Sequence, residues 1–273
     1  MNETGFPQAV LMCHAPIVIP QVAGARAPLC AASSKAMTVA AEFLVSHHPE
    51  GIVLLSPHTA RYRNAYGMAE GNRVWGNFEA FGRPDIGSEF DSDRHLQTQI
   101  ESLAQEHGVD VKPIPSGPLD HGALVPMHFL KEAGYQGKII VVGFPQETSL
   151  EKNKLMGMIL QKSISKTKSH WALLASGDMS HRLIPGAPAG FHPHAARFDR
   201  LVVKCVETGE LEHISSINGD LRESAAEDVA DSLEIACAAL HGGNSGNKIL
   251  SYEGPFGVGY LVAILHDEKG VAP

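Results

Sequence analysis

The sequence predicts an α/β fold: a single-domain α/β/α sandwich around a central, largely parallel or mixed sheet, spanning residues 1–273. Three observations predict it. Short apolar runs rich in β-branched residues recur along the chain, as strands buried on both faces require. Stretches of helical period separate them, the alternation that builds helices onto both faces of a sheet. No charge run or low-complexity segment divides the chain.

In chain order, the first strand falls at residues 9–12 (Ala-Val-Leu-Met). A helix follows over residues 33–47, with Met37, Ala40, Ala41 and Leu44 on one stripe, and a second strand at 52–55. Residues 62–89, with glycines at 67, 71, 76, 82 and 87, have no clear period and read as a long excursion containing a hairpin. Residues 93–107 repeat apolar side chains at Leu96, Ile100, Leu103 and Ala104, and residues 123–133 form a further helix behind a turn at 119–122. A strand at 139–142, a helix at 150–164 and a strand at 171–174 come next. Pro185, Pro188 and Pro193 mark an irregular loop. A helix over 225–240, through Val229, Leu233, Ala236, Cys237 and Leu240, and a strand at 260–265 complete the pattern.

The formal net charge of −8 and the dispersed lysines and arginines exclude nucleic acid as the main partner, because phosphate binding needs a concentrated basic surface. No unbroken apolar run approaches the ~18 residues of a membrane span, and the acidic N-terminus lacks the features of a secretory signal. Cys13, Cys30, Cys205 and Cys237 show no CxxC spacing and fit reduced thiols of a cytoplasmic protein.

Fifteen histidines are too many for their presence to mean anything, so position must decide. Four lie just beyond strands or in turns. His14 follows the first strand in Cys13-His14-Ala15-Pro16, and His58 follows the second in Ser56-Pro57-His58-Thr59. His121 sits in Leu119-Asp120-His121-Gly122, and His181 ends Ser176-Gly177-Asp178-Met179-Ser180-His181. In open α/β sheets ligands bind in the crevice beyond the carboxyl ends of the strands. Pro16 and Pro57 stiffen the turns that carry two of these imidazoles. Two imidazoles and a carboxylate make the facial site of non-haem Fe(II) oxygenases. Glu227 is a candidate for the carboxylate, with Glu223, Asp228 and Asp231 as competitors; an acid at a helix start also serves the helix dipole. Asp120 and Asp178 read equally as caps or turn formers, and Gly122 and Gly177 as residues of tight turns.

At these residues the chain resembles the LigB-type class III extradiol ring-cleavage dioxygenases, near the Memo-like relatives. The resemblance rests on the four histidine segments quoted above, on Asp120-His121-Gly122-Ala123-Leu124-Val125-Pro126, on Pro185-Gly186-Ala187-Pro188-Ala189-Gly190, and on Gly254-Pro255-Phe256-Gly257-Val258-Gly259-Tyr260. The segments occur in the family's order over nearly the whole chain. The resemblance implies that His14, His58 and Glu227 hold Fe(II), that His181 acts as acid–base, and that His121 lines the substrate pocket. It also implies a catechol-type substrate, O2 as co-substrate and a homo-oligomer. Memo-grouped relatives usually have Cys-Gly after the glutamate, where this chain has Asp228-Val229. Two alternatives keep the crevice but change its use: a zinc-loaded site activating water for hydrolysis, or a Memo-like module that binds a partner without turnover. Arg61, Tyr62 and Arg182 are candidates for binding a substrate carboxylate.

Overall fold

A computed structural model of the chain describes residues 5–59, 61–242 and 245–268. Among the described residues ten strands form: β1 (Gln8–Met12), β2 (Gly51–Ser56), β3 (Tyr66–Ala69), β4 (Arg73–Phe78), β5 (Arg83–Asp91), β6 (Val111–Ile114), β7 (Lys138–Gly143), β8 (Trp171–Ser176), β9 (Lys248–Glu253) and β10 (Tyr260–Asp267). The helices are α1 (Pro20–Ala23), α2 (Ala31–Ser46), α3 (Arg94–Glu106), α4 (His121–Glu132), α5 (Leu150–Ser165), α6 (Ala195–Thr208), α7 (Gly219–Ala225) and α8 (Ala230–Ala239).

Eight strands make one sheet in the order β6-β3-β7-β2-β8-β1-β10-β9. Its centre is parallel: β2 pairs with both β7 and β8, and β8 with β1. β3 runs antiparallel to β7, and β10 antiparallel to both β1 and β9, so the sheet is mixed. Every residue of β1, β2 and β8 is buried. The period of two sends Val10, Met12, Ile52 and Leu54 into one core beside Met37 and Leu44 of α2 and Leu124 and Leu130 of α4. Leu11, Val53 and Leu55 enter the other, against Ile100 of α3, Met156 of α5, Phe198 of α6 and Leu233 of α8. Both faces are covered, as the continuous apolar runs required.

Three sheet strands lie where the sequence showed no strand pattern. β3 falls inside the excursion, and β6 and β9 are the sheet's two edges. Pro113 in β6 is tolerated at an edge because it owes no hydrogen bond outward. β4 and β5 form a separate antiparallel hairpin within the excursion. The helix expected over 225–240 is two helices: α7 stops at Ala225, Ala226 turns left-handed at φ 51°, and α8 starts only at Ala230. Residues Pro20–Ser46 are long and apolar enough in composition to cross a membrane. Here they are broken into α1, a 3-10 segment (Gly24–Cys30) and α2, and α2 buries Met37, Ala40, Ala41 and Leu44 in the core. All four cysteines are free thiols.

Candidate metal centre

The three central parallel strands set the site. In their register Met12 lies opposite Ser176, and Leu55 opposite Ala175, so β1, β8 and β2 end side by side on one line. His14, Asp178 and His58 each follow two residues past that line. The start of α4 closes the same edge and brings His121 in as its first residue. Asp120 caps that helix, accepting from Gly122 N at 2.8 Å. Gly122 must be glycine for the helix to come so close: a Cβ there would lie 2.7 Å from Ser56 Oγ and 3.2 Å from His58 Cβ.

The imidazoles of His14, His58 and His121 converge. Ring centroids are 4.8 Å apart for His14–His58, 5.5 Å for His14–His121 and 4.4 Å for His58–His121. One nitrogen from each lies within 4.8 Å of the other two. His14 is buried, His121 half-buried and His58 open to solvent. Ser176 fixes the orientation of His14. Its hydroxyl donates to Gly122 O at 2.6 Å and lies 3.0 Å from His14 Nδ1, so it accepts from an Nδ1–H. That leaves the buried Nε2 to face Asp228 Oδ2 at 3.4 Å. An outer contact such as that from Ser176 is what orients a metal-ligating histidine.

The carboxylate facing these rings is Asp228, not Glu227. Asp228 Oδ2 stands 3.1 Å from His58 Nε2 and 3.4 Å from His14 Nε2. Its Oδ1 accepts from Asp178 N at 2.6 Å. Asp178 in turn accepts from His14 N at 2.9 Å, which ties the β1 and β8 ends together. Gly177 lets α8 approach, since a Cβ there would lie 2.6 Å from Val229 Cα. Glu227 turns the other way. Its Oε1 accepts from Arg222 Nε at 2.6 Å, and its Oε2 accepts from Val229 N and Ala230 N, both at 2.8 Å. The physical reason is the break at Ala226, which sends neighbouring side chains to opposite sides. Glu227 thus performs the capping role that an acid at a helix start commonly plays.

The charges fit a cation. Burial works against protonating His14, but Asp178 and Asp228 overcome it and raise its pKa to about 9. Burial, with His58 and His14 adding to it, lowers His121 to about 4. Burial would raise Asp228, yet the His14 and His58 imidazoles hold its carboxyl well below the usual range. Burial raises Asp178. The pocket therefore holds a proton on His14 against a shared carboxylate, a charge that a metal ion would replace. Three imidazole nitrogens and one carboxylate suit iron or zinc.

His181 lies on the segment after β8, its N–H donating to Ala225 O at 2.9 Å; its half-buried ring has a buried Nδ1 without a hydrogen-bond partner. Arg61 and Tyr62 donate to the carbonyls of Pro145 and Pro113, and Arg182 Nη1 donates to Glu223 O. A cavity of about 170 Å³ adjoins His58 and is lined by Thr59, Val74, Ile114, Leu119 and Asp120 among others. Ser176 was not singled out in the sequence, although its place at the last position of a buried strand was the available signal.

Comparison with known proteins gives the family. Residues 8–263 match the family described as the catalytic LigB subunit of aromatic ring-opening dioxygenase, and the chain belongs to that family. It is 28% identical over 271 residues to Protein CA_C1420 of Clostridium acetobutylicum, covering 96% of this chain and 57% of the relative. It is 26% identical over 147 residues to a 3,4-dihydroxyphenylacetate 2,3-dioxygenase of Escherichia coli, covering 52% of this chain and 50% of that one. The chain thus spans about half the length of the curated relatives it matches. The crystal structure of the uncharacterised protein JW3007 from Escherichia coli shares the fold, with a TM-score of 0.63 at 14% identity, covering 94% of this chain and 99% of that one.

Proposed function

We propose that this protein is a non-haem Fe(II)-dependent extradiol dioxygenase that opens a catechol-type ring with O2, and that the whole chain is one LigB-type domain. The observation that carries the reading is the convergence of His14, His58 and His121 on one point beside Asp228, at the ends of adjacent parallel strands. His14, His58 and Asp228 are the two imidazoles and one carboxylate of the metal site, with Asp228 in the place expected for Glu227; His121 is a further donor at its open side. When bound, the metal supplies a Lewis acid that gathers both substrate oxygens and O2 in neighbouring positions.

The chain's own residues do the rest. Ser176 fixes the His14 ring through Nδ1, and Asp178 holds the β1 turn and Asp228 in register. His181, on the segment that leaves β8, takes a phenolic proton and returns it later in the cycle. The cavity beside His58 is small for a ligand site and suits a single ring.

A second reading rests on the third imidazole. Three histidines are also the ligand set of zinc centres that activate water. One experiment separates the two: protein reconstituted anaerobically with Fe(II) is mixed with air-saturated buffer and a panel of catechols, and O2 uptake is followed with product absorbance. Catechol-dependent uptake by the iron form, absent from the zinc form, is the expected result. Failure of the iron form to consume O2 with any catechol would overturn the dioxygenase reading.

A further inference from the structure

We propose that Phe81 is a substrate-binding residue, the wall against which the aromatic ring of the substrate packs; this rests on the ring-opening reading above. Phe81 ends a short 3-10 turn (Glu79–Phe81) at the tip of the β4–β5 hairpin. Its ring lies 5.7 Å from that of His121, at 72° between planes. It is 43% exposed, whereas its neighbour Phe78 is fully buried. A large apolar ring left half in water is ordinary when it stands alone on a surface. Here it touches one of the three converging imidazoles, and an incoming planar ring there would cover apolar surface that is now wet.

The hairpin is built to hold this ring still. Gly82 closes the turn in the left-handed region at φ 74°, where a side chain would be strained. Phe78 anchors the turn from below, 6.3 Å from Phe81 and 6.2 Å from the ring of His128 in α4. Lys131 of α4 donates to Gly87 O at 2.7 Å, and Leu119 N, just before α4, donates to Trp75 O at 2.8 Å. The Arg83 guanidinium donates to Gln21 O on α1. The excursion that showed no period in the sequence thus carries a rigid aromatic to the rim of the metal centre. A rigid wall binds without the entropy cost of ordering a loop.

The class of ligand follows from the wall and the centre together: a planar aromatic ring bearing adjacent oxygens, with the ring on Phe81 and the oxygens toward the imidazoles. Stacked or edge-on aromatic pairs add binding beyond their buried area. The test uses the zinc-loaded full chain, so that binding is read without turnover, and titrates 4-nitrocatechol by its visible absorbance against acetohydroxamate, a non-aromatic chelator, by calorimetry. For Phe81→Ala the expected result is nitrocatechol binding weakened about tenfold, with acetohydroxamate and zinc affinities unchanged. Phe81→Tyr should restore most of the loss and Phe81→Leu only part of it. Unchanged nitrocatechol binding in Phe81→Ala, or equal losses for both chelators, would overturn the role of Phe81 while leaving the centre intact. Zinc-loaded wild type that binds acetohydroxamate but no catechol would remove the ring-opening reading itself, and this proposal with it.

Discussion

Asp199 lies wholly inside the protein beneath the segment that carries His181, accepting from Ser180 N at 2.9 Å and from the Tyr252 hydroxyl at 2.7 Å. Burial, only partly offset by those hydrogen bonds, raises its pKa from 3.8 to about 6. A carboxyl raised in the folded state favours folding when protonated. Its contribution is complete below about pH 3.8 and is lost as pH climbs through 6. The difference corresponds to about 3 kcal/mol. Asp199→Asn should therefore gain stability relative to wild type between pH 4 and pH 7 in metal-free urea unfolding; a difference constant across that range would contradict the assignment. At this scale the histidines were legible in the sequence, because each follows an apolar run or opens a helix, and a chain must leave a buried strand at its end. Asp199 was not, since nothing in an α6 pattern tells a buried carboxyl from an exposed one.

The α7–α8 junction shows where sequence reading failed and why. The apolar period runs on through residues 225–240, so it reads as one helix, with Glu227 the candidate ligand on its first turn and Asp228 among its competitors. The left-handed turn at Ala226 is a backbone event with no glycine to announce it. It divides the two acids, giving Glu227 to Arg222 and the α8 amides, and Asp228 to the histidines. Arg222 also reaches Asp231 at 3.0 Å and Glu234 at 3.6 Å, so the junction is clasped from one half-buried guanidinium. The two acids should then respond in opposite ways. Asp228→Asn should lower metal affinity by about 100-fold. Glu227→Gln should leave metal affinity nearly unchanged and cost about 2 kcal/mol of stability, because a buried charge pair loses one partner. Zinc competition titrations and denaturant unfolding on both variants check this, and a larger metal defect in Glu227→Gln would return the ligand role to Glu227.

The proposed metal centre lies at the ends of three neighbouring parallel strands. A sheet covered on both faces fixes the register of β1, β8 and β2, and the register fixes which residues emerge together. The sandwich itself was readable, since fully buried strands leave continuous apolar runs. The edge strands β6 and β9 were not, because an edge is half-exposed and takes polar residues and proline without penalty. Nor was the role proposed for the β4–β5 hairpin, which rests on where its tip lies rather than on its pattern. The account as a whole stands on the three imidazoles sharing one ion. The most direct measurement is metal content per chain after anaerobic loading and desalting, in wild type and in His14→Ala, His58→Ala and His121→Ala. One equivalent in wild type, nearly none in His14→Ala or His58→Ala and a weakened site in His121→Ala is the predicted result. Retention of a full equivalent in His14→Ala and His58→Ala would contradict it.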